Sequence, residues 1–72
     1  MADTGKVLVV NGESRRVAAG HLVELLRELG YDPEGRGLAV AVDGVVVPRS
    51  RWVETVLRPG ARVDIVGAVQ GG

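Results

Sequence analysis

The chain has 72 residues, 46% apolar and 25% charged, with one tryptophan, one tyrosine and no phenylalanine, which bounds it to a single modest core built mainly from valine and leucine. It has no cysteine, which excludes disulfides, thiolate metal sites and a cysteine nucleophile, so sulfur chemistry on a thiol side chain is ruled out. Nine basic and nine acidic residues cancel, and the halves stay balanced: residues 1–36 carry five against six (net −1) and residues 37–72 four against three (net +1), leaving no basic excess to bind nucleic acid.

The N-terminal apolar run is too short for a signal peptide, and no stretch reaches the roughly 18 apolar residues of a membrane span. The expectation is a cytoplasmic protein with no membrane association.

In chain order, Lys6-Val7-Leu8-Val9-Val10 reads as a first strand. Asn11-Gly12 follows, a strong type I′ hairpin signal because both central positions need positive φ, and Glu13 to Val17 returns as the second strand. The continuous apolar run Val7–Val10 predicts a central strand covered on both faces, whereas Arg15 and Arg16 mark an edge. Leu22, Leu25, Leu26 and Leu29 then recur at i, i+3, i+4 and i+7, with Glu24, Arg27 and Glu28 opposite. This predicts an amphipathic helix of about nine residues, stopped by Gly30 with Pro33 beyond.

A second hairpin follows, Leu38 to Val42 and Val45 to Val47 around Asp43-Gly44, with Pro48 ending it. Ser50 is placed to cap a short helical turn over Ser50–Glu54. Pro59-Gly60 makes a turn into a last strand that puts Val63 and Ile65 on one face and Arg62 and Asp64 on the other. Strand one finds its partner in the last strand, running parallel beside it, with the outer strand of each hairpin at an edge. The fold class is therefore α+β, a β-grasp: a five-stranded mixed sheet with one main helix on one face. Residues 1–69 form the single domain, and residues 70–72 a flexible Gln-Gly-Gly tail.

Most chemistry-bearing residues have plainer readings. His21 is the only histidine, and one imidazole falls short of the ligand set a metal needs, so no metal site is assigned. Glu24, Glu28, Asp32, Glu34, Asp43, Glu54 and Asp64 fall on predicted solvated faces, not in a cleft that would split their pKa values. No catalytic residue is assigned, and the chain reads as a non-enzyme. Gly35-Arg36-Gly37 lacks the spacing of a phosphate loop. Trp52 is read as capping the core with one edge exposed. Arg49 and Arg51 are surface cations of little energetic weight.

The end of the chain, Ala68-Val69-Gln70-Gly71-Gly72, is different. At 11 glycines in 72 residues, two terminal glycines arise by chance in about one chain in 40, but here they directly follow the last strand. A carboxylate becomes electrophilic once one oxygen is made a leaving group, as in an acyl adenylate formed from ATP. Residues without Cβ then pass through a narrow, water-excluding channel.

With this element order and tail, the sequence resembles the ubiquitin-like sulfur carriers (ThiS/MoaD-like), most closely their thiamine-biosynthesis branch, ThiS. The resemblance lies in Gly37-Leu38-Ala39-Val40-Ala41-Val42 running through the second hairpin to Val47-Pro48-Arg49 and Trp52, and in Arg58-Pro59-Gly60 leading through the last strand to Gly71-Gly72. It covers residues 6–72. It implies that a ThiF-like adenylyltransferase uses ATP to adenylate Gly72, that sulfur from a cysteine desulfurase displaces AMP to leave a Gly72 thiocarboxylate, and that a ThiG-like thiazole synthase receives the sulfur. Gln70 and Gly71 would thread the partner sites, and Val66 and Ala68 would belong to a partner surface on the sheet face away from the helix. No cofactor is expected on the chain itself. The same carrier chemistry serving molybdopterin or a sulfur-containing natural product, and a ubiquitin-like protein modifier, stand as alternatives.

Overall fold

The computed structural model describes residues 5–34 and 37–67. Two tight turns generate most of the sheet. Asn11 and Gly12 have φ of 51° and 84°, and Asp43 and Gly44 have 52° and 85°, the left-handed pairs that match the twist of the flanking strands. The first joins β1 (Lys6–Val10) to β2 (Glu13–Val17), antiparallel from Lys6↔Val17 to Val10↔Glu13. The second joins β3 (Leu38–Val42) to the two-residue β4 (Val45–Val46).

β5 (Arg62–Gly67) lies between the hairpins, so the strand order is β2-β1-β5-β3-β4. It runs parallel to β1 at Val9↔Arg62 and Val10↔Val63, and antiparallel to β3 from Val42↔Val63 to Leu38↔Gly67. The five-stranded mixed sheet with both outer strands at edges is thus as the sequence pattern predicts, and the fold is a β-grasp.

The helix α1 (Leu22–Glu28) is seven residues long, shorter than its leucine pattern. Leu29 has left the helical ladder as its C-cap and is only partly buried, while Leu22, Leu25 and Leu26 are fully enclosed. Past Leu29 the chain closes on itself: Gly30 N–H donates to the Arg27 carbonyl (3.1 Å) and Tyr31 N–H to the Leu26 carbonyl (2.8 Å). That pairing satisfies carbonyls the helix end would otherwise leave open, and it is the physical reason the helix stops here. At the other end Glu24 turns back so that Oε1 accepts from Gly20 N–H at 2.8 Å and from His21 N–H at 3.4 Å.

The helix packs on one face of the sheet only. Leu8, Val10, Val40, Val63 and Ile65 point toward it and are buried with its three leucines and Leu57. Each such fully enclosed leucine or valine contributes about 1.5–3 kcal/mol against exposure, offset by the entropy of ordering the chain. The prediction that β1 is covered on both faces fails: Val7 is 41% exposed and Val9 half-buried. A single helix covers only one face, so alternate residues of β1 look outward.

Two details around Trp52 also differ from expectation. A 3₁₀ helix covers Arg49–Glu54, with Pro48 at its N-cap position and no side-chain cap, so Ser50 lies inside the turn and does not cap it. Arg51 N–H donates to the Pro48 carbonyl at 2.8 Å, starting the turn before Ser50. Trp52 itself is buried edge and all, at 2% exposure. Its Nε1–H donates to the Val47 carbonyl (2.9 Å), so the polar atom needs no water and the ring can be fully enclosed. The Arg49 guanidinium covers it, 5.8 Å from the ring centroid.

The Glu24 carboxyl is held below the usual glutamate range, chiefly by the Gly20 N–H and then by the His21 N–H. A depressed folded-state pKa adds stability above the ordinary glutamate value of about 4.3 that is lost as pH falls through the folded value. Glu24→Gln is therefore expected to flatten the acid limb of the stability curve while leaving its slope near neutrality unchanged, measured by urea unfolding across pH.

Candidate functional site

The residues that matter for the tail are those that fix β5, because β5 leads directly into it. β5 is held by main chain on both sides and also by two turn side chains. Val9 N–H and Asn11 N–H donate to the carbonyls of Ala61 and Val63, both at 2.9 Å, and Asp43 N–H donates to the Arg62 carbonyl at 2.7 Å. The Asn11 carboxamide Oδ1 accepts from Ile65 N–H at 2.7 Å, and the Asp43 Oδ1 from Arg62 N–H at 3.0 Å. Each hairpin tip thus grips the strand with its backbone and its side chain. Below them, Gly60 N–H donates to the Val7 carbonyl at 2.7 Å and Ala61 N–H to the Arg58 carbonyl at 3.0 Å, so the Pro59-Gly60 turn seats the start of β5 against β1.

The open face of the sheet lies opposite the helix. Val66 is on it, 67% exposed, directly across from Ala39. Val7 and Val9 from β1, Ala41 from β3 and Val46 from β4 share that face by strand alternation. Arg62 and Asp64 stand among them on β5, and Arg16 and Ser14 on β2 opposite Val7 and Val9, so the face mixes small apolar side chains with charged and polar ones. Val66 therefore lies on the sheet face away from the helix. Ala68, Gln70, Gly71 and Gly72 lie outside the described residues.

Among the described residues no three His, Cys, Asp or Glu side chains gather as metal ligands, and no helix is long and apolar enough to cross a membrane. His21 is exposed at the N-cap of α1, with Nδ1 3.4 Å from Glu24 Oε1. The second roles of Asn11 and Asp43 were not foreseen, since the sequence signal reports only their turn geometry.

The ThiS family profile matches residues 8–72, from the first strand through the terminal glycines. The chain belongs to the ThiS family. Among curated ThiS-family relatives, it is 30% identical over 66 residues to the sulfur carrier protein ThiS of Escherichia coli strain K12, covering 90% of this chain and 97% of that one. It is 39% identical over 66 residues to a thiazole synthase of Paramagnetospirillum magneticum, but the match spans only 20% of that protein. The fold matches the crystal structure of the thiamine biosynthesis protein ThiS from Geobacter metallireducens at a TM-score of 0.75 and 26% identity, covering 92% of this chain and 99% of the other. A solution structure of a thiamine biosynthesis protein from the same organism gives 0.74. These likenesses make the chain a ThiS-like sulfur carrier by family and fold.

Asn11→Gly keeps a turn compatible with positive φ but removes the acceptor for Ile65 N–H. It is expected to cost about 1 kcal/mol in urea unfolding and to speed hydrogen exchange at Ile65 selectively, as read by NMR.

Proposed function

We propose that this chain is the sulfur carrier for thiazole formation in thiamine biosynthesis, acting in the cytoplasm as a co-substrate of partner enzymes and not as a catalyst. The observation that carries the reading is the ThiS family match running through Gly71-Gly72. Support for thiazole as the destination comes from the thiazole synthase whose own chain contains a segment like this one: joining a carrier to its acceptor raises their effective concentration. That favours thiamine over molybdopterin.

In this cycle a Gly72 carboxylate oxygen attacks the α-phosphorus of ATP on a ThiF-like adenylyltransferase, releasing pyrophosphate. A persulfide derived from a cysteine desulfurase then attacks the acyl carbon and expels AMP, and a thiol reductant cleaves the resulting acyl disulfide to the thiocarboxylate. A ThiG-like thiazole synthase takes the sulfur. The chain contributes the terminal carboxylate, and Gln70 and Gly71 form the thread that enters each partner. ATP is bound by the partner. Val66 and Ala68 contribute to the docking surface, where exposed apolar side chains can be covered.

Incubating the chain with the adenylyltransferase, a persulfide donor and ATP should exchange one oxygen for sulfur at Gly72, read by intact mass. No exchange overturns the carrier reading. Deleting Gly72 should abolish the exchange with the thermal midpoint unchanged, because the described core runs from Leu8 to Ile65. Val66→Asp should change stability by no more than about 0.5 kcal/mol yet raise the KM of the adenylyltransferase for the carrier, since its side chain is already in solvent.

A further inference from the structure

β5 is paired unequally on its two sides. Toward β3 its pairing runs the whole length to Gly67. Toward β1 it stops early, because β1 ends at Val10 and turns away at Asn11-Gly12. The printed bonds fix which groups face that side: the carbonyls of Ala61 and Val63 accept from Val9 and Asn11, and Ile65 N–H donates to the Asn11 side chain. By strand alternation Ile65 C=O and Gly67 N–H point the same way. No described residue bonds either of them there. The sheet therefore has an interior gap in line with β1, next to the segment that leads into the tail.

We infer that this gap is a strand-addition site, filled by an extended main-chain segment of the enzyme that activates the Gly72 carboxylate. The inference rests on the carrier reading. Unpaired N–H and C=O groups on a strand are a template for another strand, and they recognise backbone, so the occupant is a peptide segment and not a small ligand. Its place follows from the length of chain beyond: five residues at roughly 3.3 Å each reach about 16 Å when extended. An enzyme segment paired at Ile65 and Gly67 starts the tail in extended form and aims its end at the reaction centre. Gly67 leaves the approach unobstructed, being exposed and without a side chain. Val66, beside it on the open face and 67% exposed, gives the same segment an apolar side chain to cover.

Amide hydrogen exchange on the full chain, alone and with saturating adenylyltransferase, tests the inference. Gly67 N–H should exchange rapidly in the free chain and slow by about tenfold or more in the complex, while Ile65 N–H, already bonded to Asn11, is protected in both. Gly67→Pro removes the outward N–H, whereas Gly67→Ala retains it and places its Cβ 3.4 Å from Leu38 Cδ1. With both variants folded, kcat/KM for adenylation should fall by about tenfold or more for proline and stay within about twofold for alanine. Should the proline variant not fold, the exchange result on the native chain decides alone. A complex that adenylates Gly72 without slowing Gly67 exchange overturns strand addition and leaves docking on the open face. If the native chain is never adenylated or sulfurated, it is the carrier reading that has failed.

Discussion

Everything in this fold depends on bringing β5 back between the two hairpins. A parallel neighbour cannot be reached through a tight turn, so the chain must cross over between β1 and β5. α1 lies in that crossover, which accounts for its place on one face of the sheet. The hairpin β3–β4 then supplies the antiparallel partner on the other side. Leu22, Leu25 and Leu26 close over Leu8, Val40 and Val63, each from a different part of the chain. The core therefore forms only when β5 is in register. The side-chain bonds from Asn11 and Asp43 help to set that register at both hairpin tips.

This arrangement also governs what leaves the domain. The last strand emerges from the centre of the sheet and not from an edge, paired with β3 as far as Gly67 but with β1 only as far as Val63. In the proposed carrier cycle, a terminal carboxylate on a short thread would gain from a base fixed along β3, because a partner need only orient the few residues beyond it. The covered helix face and the open face divide the work in the same way. One face supplies the burial that a chain of 72 residues can spare, and the other keeps Val66 and its neighbours available.

Much of this was legible because the decisive signals are local. Asn11-Gly12 and Asp43-Gly44 announce hairpins through the φ values they permit, and the alternation of Val63 and Ile65 with Arg62 and Asp64 gives the orientation of β5 without any tertiary information. The apolar run Val7–Val10 was ambiguous for a physical reason: valines facing a helix and valines facing an open surface read identically in sequence. Trp52 was underestimated because its enclosure depends on the Val47 carbonyl being in reach of Nε1, a property of the 3₁₀ turn. Ser50 failed as a cap because Pro48 and Arg51 had already closed the turn ahead of it. The chemistry proposed for Gly72 rests on the terminal motif and the family likeness, since no local pattern encodes it.

The least legible feature is the point at which β1 stops. Gly67 stands four residues beyond Val63, the last β5 residue paired with β1; had β1 continued in register that far, its backbone would cover Gly67 N–H, and the last strand would be sealed on both sides up to the tail. The Asn-Gly turn prevents this by bending the chain away immediately after Val10. The Asn11 side chain limits the consequence, occupying the Ile65 N–H that the turn would have left bare. What remains exposed on that side is short, so it carries little of the self-association hazard of a full edge strand. A turn that would otherwise count only as a connection thus sets the length of open backbone at the root of the tail.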